Sequence, residues 1–234
     1  MVERARSVST SAADLRHRLV DELIGRGVIT DDALAAAFRA VERHRFVPSA
    51  TLADAYADRA IGISHDRSGH LVSSISQPTI VATMLAEAKL APGCRVLEIG
   101  TGAGYNAALV GALVGPTGSV VTVEIDAALA AAAQARLPAG IVVVVGDGHD
   151  GWAAGSPYDA IIVTAAAMGV TDAWRAQLAD GGRLVVPMIE ADGRHQAVVT
   201  SVRHGEQLRE LRRVPAMFVA LRASGALPRQ RSDP

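Results

Sequence analysis

The sequence has only one cysteine, few aromatic side chains and almost no net charge among its 234 residues. Cys94 alone cannot form an internal disulfide or a cysteine-based metal cluster, so we interpret it as a small core or edge residue. The histidine and acidic residues lack the spacing of metal ligands, and no metal is predicted. A formal net charge of −1 offers no electrostatic attraction for nucleic acid or for an anionic membrane.

Long apolar runs are also missing. Every hydrophobic stretch is interrupted by Gly, Pro or a charged residue before it could span a bilayer. The N-terminal residues lack the apolar segment of a secretory signal. We therefore expect a cytoplasmic protein that does not associate with membranes. Half of the residues are hydrophobic, which is typical of a globular protein with a substantial core.

Three regions follow one another along the chain. Residues 1–90 contain helical spacing of apolar residues and then an irregular stretch rich in Gly, Ser, Asp and His, so we predict N-terminal helices and a loop. Residues 91–224 are predicted to form the core. Residues 225–234 are polar and are predicted to be a disordered tail.

From residue 95 onward the pattern alternates between strands and helices. The central strands are continuous apolar runs, which is typical of parallel strands covered on both faces. We predict an α/β fold with a doubly wound, mostly parallel sheet, closed by an antiparallel hairpin around Gly205. The predicted strands are 95–99, 119–124, 141–145, 159–163 and 183–187, and the predicted helices are 103–114, 126–137 and 171–179.

The segment RVLEIGTGAGY at 95–105 is the most informative motif. A buried strand ends in Gly100, Gly102 and Gly104, and glycine allows a sharp turn and a close approach to a ligand. Glu124 ends the next strand about 20 residues later, where a carboxylate can accept both hydroxyls of a ribose. The pattern predicts a cofactor that contains a nucleoside.

The glycine spacing argues against a dinucleotide. The dinucleotide motif is G-x-G-x-x-G, whereas this loop reads G-x-G-x-G with Glu98 two positions before it. An NAD-linked oxidoreductase on a similar sheet therefore stays as an alternative only.

Asp147, in a Gly-Asp-Gly sequence after the third core strand, could accept a hydrogen bond from the exocyclic amine of adenine or could be a turn residue. Thr164, Ala165 and Ala166 follow the fourth core strand and should face the cleft.

The E-x-G-x-G-x-G arrangement resembles the first motif of class I S-adenosylmethionine (SAM) methyltransferases. ISQP at 75–78, GDGHDGW at 146–152 and YDAIIVTAA at 158–166 together resemble the protein-L-isoaspartate O-methyltransferase family. The resemblance extends from about residue 15 to about residue 190. It implies a Rossmann-like fold with an N-terminal helical extension, SAM as the cofactor and a peptide, protein or small-molecule methyl acceptor. It also implies that the loop within residues 1–90 covers the cofactor and the substrate. The oligomeric state is not predicted.

The resemblance also implies site residues. Ser76 would lie beside the transferred methyl group as the catalytic residue, and its alternative role is an N-cap for the following helix. Glu98 would support the amino-acid end of the cofactor, directly or through water. The residues implied for cofactor binding are Ile75, Ser76, Glu98, Gly100, Thr101, Gly102, Tyr105, Asn106, Glu124, Ile125, Gly146, Asp147, Gly148, Thr164 and Ala165.

The sequence departs from the family at two places on the acceptor side. Residues 64–73 form a longer, charged loop than is usual. Near the C-terminus Met217 replaces an arginine, the natural bidentate partner of a carboxylate, and Ala220 replaces a proline. The candidate acceptor-binding residues are His65, His70, Ser74, Ala166, Met217, Phe218 and Val219.

The predicted function is methyl transfer to a carboxylate of a peptide or protein, on an isoaspartyl or aspartyl side chain. A carboxylate is ionised at neutral pH and needs no general base, so positioning would supply most of the catalysis. One alternative is a natural-product methyltransferase acting on a small-molecule oxygen, nitrogen or carbon, for which His65 or His70 could be the base. Another is a non-catalytic SAM-binding protein.

Overall fold

A seven-stranded sheet forms the centre of the computed structural model, which describes residues 10–224. Its strand order is β5-β4-β3-β6-β7-β8-β9, and the first five strands in this order are parallel. β8 and β9 form an antiparallel hairpin that finishes the sheet. The strands are β1 (Ile61–His65), β2 (Leu71–Ile75), β3 (Arg95–Ile99), β4 (Ser119–Glu124), β5 (Ile141–Val145), β6 (Tyr158–Val163), β7 (Leu178–Ile189), β8 (Gln196–His204) and β9 (Gln207–Pro215).

Most of the helices begin where a short polar side chain caps free backbone N–H groups. The Ser11 hydroxyl and the Asp14 carboxylate form a capping box, and Asp31 and Asp126 each accept from the first turn of their helices. The helices are α1 (Ala12–Gly25), α2 (Asp32–Ala40), α3 (Leu52–Ala55), α4 (Pro78–Ala88), α5 (Tyr105–Val114), α6 (Ala127–Gln134) and α7 (Asp172–Gln177). Within residues 10–224, no helix combines the length and the apolar character needed to cross a membrane.

The predicted doubly wound, mostly parallel sheet is confirmed. Each central strand is buried on both faces: β3 directs Val96 into one apolar cluster and Leu97 and Ile99 into another. The first cluster also takes in apolar side chains of α1, α2 and α4, so it crosses the predicted boundary at residue 90. The predicted disordered tail, residues 225–234, lies outside the described residues.

The stretch expected to be irregular contains an antiparallel hairpin. β1 and β2 pair with each other outside the main sheet, with irregular register between Gly62 and His65. At the tip, Asp66 Oδ1 accepts the backbone N–H groups of Ser68 and His70, as in a tight turn. Serine and glycine interrupt the alternation of apolar and polar residues in these short strands, so the sequence pattern resembles that of a loop.

The carboxyl ends of β3 and β6 meet at the point where the strand order reverses, the usual ligand site of open α/β sheets. The last described segment, residues 216–224, crosses these strand ends, and we call it the C-terminal strap. The strap is held at Ala166, whose N–H donates to the Val219 carbonyl and whose carbonyl accepts the Leu221 N–H, both at 2.8 Å.

Candidate active site

A cleft of about 900 Å³, including the part open to solvent, lies over the carboxyl ends of the central strands. The β1–β2 hairpin, the glycine loop, the ends of β4 and β6 and the C-terminal strap form its walls. The predicted residues that line it are Ser74, Ile75, Ser76, Gly100, Thr101, Gly102, Tyr105, Asn106, Glu124, Ile125, Gly148, Thr164, Ala165, Phe218 and Val219. The predicted residues that do not line it are His65, His70, Glu98, Gly146, Asp147, Ala166 and Met217.

The glycine loop is folded so tightly that Gly100 cannot carry a side chain. Its φ is +95°, and a Cβ there would lie 2.5 Å from Thr164 Oγ1. The Thr164 hydroxyl donates to the carbonyls of Ile99 and Gly100, which ties the end of β6 to the loop. The loop backbone is therefore fixed by its neighbouring strand and is open only towards the cleft.

Glu124 places a carboxylate at the cleft wall, as the sequence predicts. Its Oε2 accepts the Gly102 N–H at 2.9 Å and its Oε1 accepts the Asp126 N–H at 3.1 Å. Each carboxylate oxygen has a second lone pair, so both can still accept a hydroxyl of a ribose. The geometry fits the sugar of a nucleoside cofactor.

Glu98 lies behind the glycine loop and is fully buried. Asn106 Nδ2 donates to its Oε1 at 2.8 Å, and Thr122 Oγ1 donates to its Oε2. Burial raises the pKa of Glu98 to about 7, against the opposing effect of these two hydrogen bonds. Because Asn106 lines the cleft and Glu98 does not, Glu98 can reach a ligand only through its neighbours.

Asp147 does not have the free carboxylate that an adenine amine would need. Its Oδ1 accepts from the backbone N–H and from Nδ1 of His149, and its Oδ2 accepts from the backbone N–H and hydroxyl of Ser224. Four donors use the lone pairs of a carboxylate fully. Burial opposes ionisation, but these hydrogen bonds outweigh it and lower the pKa of Asp147 to about 2. The predicted adenine contact therefore requires that Ser224 leave Asp147.

Ser76 lies at the cleft between β2 and α4. It is not the N-cap of α4, because the N-cap is Gln77 and the cap position makes no side-chain hydrogen bond. Instead, the Ser76 carbonyl accepts a hydrogen bond from Arg43 Nη2 at 3.0 Å. The capping alternative is wrong, and the hydroxyl of Ser76 is available to the cleft.

Comparison with known proteins identifies the family. The sequence model of protein-L-isoaspartate(D-aspartate) O-methyltransferase matches residues 14–225. A protein-L-isoaspartate O-methyltransferase of Methylorubrum populi is 44% identical over 216 residues, which are 91% of this chain and 96% of that protein. The chain belongs to the protein-L-isoaspartate O-methyltransferase family. It is therefore an enzyme that transfers a methyl group from SAM.

Solved structures agree with this family. A structure named protein-L-isoaspartate O-methyltransferase has a TM-score of 0.82 and 32% identity to this chain, and the match covers 89% of this chain and 66% of that one. A crystal structure from Plasmodium falciparum, in complex with S-adenosyl-L-homocysteine, has a TM-score of 0.76 over 88% of this chain and 98% of that one. At 21% identity, this second structure supports the fold alone.

On the acceptor side, the structure separates the predicted residues of this methyltransferase into two groups. Phe218 and Val219 line the cleft, and the Gln196 side chain holds the strap there by accepting the Phe218 N–H and donating to its carbonyl. Met217 is 78% exposed and does not line the cleft. Ala166 is buried and acts through its backbone, whereas the two histidines lie on the exposed part of the hairpin.

Several cleft residues of the methyltransferase were not predicted from sequence. Val81 and Met84 are buried residues of α4 that also line the cleft, and no sequence motif marks them as site residues. Residues 220–222 of the strap also line the cleft. No local motif marks them, because their place depends on how the strap pairs with the end of β6.

Proposed function

We propose that this enzyme methylates the free carboxylate of isoaspartyl residues in peptides and proteins. The observation that carries the proposal is that Ser74–Ser76, which overlaps the family-like ISQP motif at 75–78, lines the same cleft as Glu124 and the glycine loop. The segment thus brings an acceptor-side hydroxyl next to the cofactor side. The relatives are named for the same reaction, and the likeness covers most of the chain.

In this proposal the chain contributes positioning and the exclusion of water. SAM supplies an activated methyl group. Glu124 would hold the ribose, Asn106 would accept from the amino group of the methionine moiety, and the Gly100–Gly102 backbone would border the cofactor. Ser76 would donate to one oxygen of the acceptor carboxylate so that the other is aligned for in-line attack. An ionised carboxylate needs no base, so alignment and desolvation are the main requirements.

The surface that would contact the methyl acceptor differs from the one expected from the sequence. Phe218 and Val219 form an apolar rim on the strap, and Met217 takes no part in it. A peptide would therefore contact the rim through apolar surface and strap backbone rather than through a guanidinium at position 217. We infer a cytoplasmic location for the enzyme, and this location stays a prediction.

The test is methyl transfer from labelled SAM to two peptides that differ only in one aspartyl or isoaspartyl residue. The expected result is a base-labile gain of one methyl group on the isoaspartyl peptide and none on its partner. Glu124→Ala is the control for cofactor-dependent transfer. Transfer to the aspartyl peptide alone, or to neither peptide while SAM still binds, would refute the proposed acceptor.

A further inference from the structure

Arg43 is a completely buried arginine in the N-terminal extension. It begins a short 3-10 helix, Arg43–Phe46, and has no exposed surface. Its Nε donates to the Ala55 carbonyl at 2.9 Å, and its Nη2 donates to the carbonyls of Arg59 at 3.3 Å and Ser76 at 3.0 Å. One guanidinium thus joins three separate turns of backbone.

The charge of Arg43 is costly to bury at this place. Among residues 10–224, no carboxylate forms an ion pair with Arg43, and its Nη1 has no hydrogen-bond partner. A buried charge without an ion-pair partner has a large desolvation cost, which three backbone carbonyls and the Tyr105 ring partly offset. Removing the guanidinium would leave these carbonyls without this donor, so Arg43 has a structural role whatever it does for catalysis.

The guanidinium contacts two residues that line the cleft. Besides the Ser76 carbonyl, its Cζ lies 5.0 Å from the centre of the Tyr105 ring, within the range of a cation–π interaction. Phe38 and Phe46 pack edge-on against the same ring. Tyr105 is the first residue of α5 and follows the glycine loop directly. Arg43 is therefore a direct connection between the Ser76 segment and the cofactor loop.

Ser76 depends on this connection because nothing in α4 fixes it. The N-cap of α4 makes no side-chain hydrogen bond, and the next anchor is Asp58, which accepts from Gln77 Nε2 and from the backbone and hydroxyl of Thr79. Asp58 therefore holds the residues after Ser76, and Arg43 holds Ser76 itself. Lysine could not replace the guanidinium, since a single ammonium cannot match its fixed fork of donors.

We propose that Arg43 is a positioning residue for methyl transfer: it fixes the backbone of Ser76 relative to Tyr105 and so aims the Ser76 hydroxyl at the acceptor carboxylate. This inference rests on the proposed function for the role of Ser76. It requires no contact between Arg43 and substrate.

The first test compares Arg43→Lys with Arg183→Lys. Arg183, which is half-buried, is the control for the same substitution beside α4, because its Nη1 donates to the Glu87 carbonyl at the other end of that helix at 3.0 Å. For Arg43→Lys, kcat should fall at least about tenfold, while the dissociation constant of SAM should change less than about threefold. Arg183→Lys should keep both values near those of the unchanged enzyme. Equal losses in kcat and SAM affinity, or equal effects of the two variants, would overturn the proposal.

A double-mutant cycle separates positioning from a general structural effect. If Arg43 acts through the Ser76 hydroxyl, Arg43→Lys should lower kcat little further once Ser76 is changed to Ala. Additive losses in the double variant would mean that Arg43 acts elsewhere. All rates are measured at a temperature at which circular dichroism shows each variant to be folded.

Hydrogen exchange tests the inference without any activity. Amides in peptides spanning residues 74–80 should exchange faster in Arg43→Lys and at the original rate in Arg183→Lys. Unchanged exchange in that segment would refute the positioning role whatever the enzyme methylates. Faster exchange, combined with no transfer to isoaspartyl peptides by the unchanged enzyme, would keep the positioning role and refute the proposed acceptor.

Discussion

Both hydrogen-bond donors of Ser224 lie on one carboxylate oxygen of Asp147, the backbone nitrogen at 2.7 Å and the hydroxyl at 2.9 Å. The backbone N–H and the ring Nδ1 of His149 both lie on the other carboxylate oxygen. Asp147 is the carboxylate that the sequence assigns to the adenine amine. If that assignment is right, the end of the C-terminal strap and the cofactor compete for one acceptor.

Removing the Ser224 donors should therefore strengthen SAM binding stepwise. Ser224→Ala removes the hydroxyl alone, and Ser224→Pro removes the backbone N–H as well. We expect the dissociation constant of SAM, measured by calorimetry, to fall about threefold and then about tenfold, because each lost bond to a charged group no longer opposes the ligand. Unchanged affinity in both variants would mean that adenine does not use Asp147.

Ser76→Ala should lower turnover and leave SAM binding intact. The hydroxyl is at the cleft and caps no helix, so its loss should reduce alignment of the acceptor without loosening α4. We expect kcat on an isoaspartyl peptide to fall about tenfold to a hundredfold, with SAM affinity within about twofold. Ser76→Thr, which keeps a hydroxyl, should recover part of the loss. A parallel loss of SAM affinity would show that Ser76 serves the cofactor instead.

A methyl group at Gly100 should damage the cofactor loop. The positive φ and the 2.5 Å approach to Thr164 Oγ1 leave no room for Cβ in Gly100→Ala. The free energy of unfolding should fall by about 1–3 kcal/mol, and SAM binding should weaken. Gly169→Ala is the matched control, because it also follows a central strand but has no atom within 4 Å of its added Cβ. Equal effects of the two changes in denaturant titrations would contradict this account.

The sequence predicted those parts of the fold and site that depend on local patterns. Continuous apolar runs predict the parallel strands. The glycine cluster follows β3 and Glu124 ends β4. Because the carboxyl ends of parallel strands lie at the same edge of a sheet, the strand prediction already brings these two features together. The hairpin at 61–75 was missed because serine and glycine conceal its alternation.

Arg43 and Asp147 show what local patterns cannot reveal. Arg43 lies in the polar sequence RHR, which is typical of an exposed turn, yet it is buried because carbonyls from three later segments surround it. Asp147 has the expected position, but its partner Ser224 is 77 residues away in the sequence. Contacts between distant segments decide both roles.

Glu98 should make the stability of the enzyme depend on pH. Its pKa is about 7 in the folded protein and 4.5 when unperturbed, because burial disfavours the carboxylate. A raised pKa stabilises the fold fully below pH 4.5, and this contribution is lost as pH rises towards and through 7. The loss corresponds to about 3 kcal/mol between pH 4.5 and pH 8.

Glu98→Gln should remove this dependence and make the enzyme more stable than the unchanged chain at pH 8. The glutamine carbonyl can still accept the hydrogen bond from Asn106, and its NH₂ group can donate to Thr122 Oγ1. The Thr122 hydroxyl can then donate to Thr101 Oγ1, which lies 2.7 Å away. The measurement is the free energy of unfolding by urea from pH 4.5 to pH 8, with Glu22→Gln on the exposed face of α1 as the control. If Glu98→Gln and the control follow the same pH curve, the pKa of Glu98 does not differ between the folded and unfolded states, and the expected burial effect is refuted.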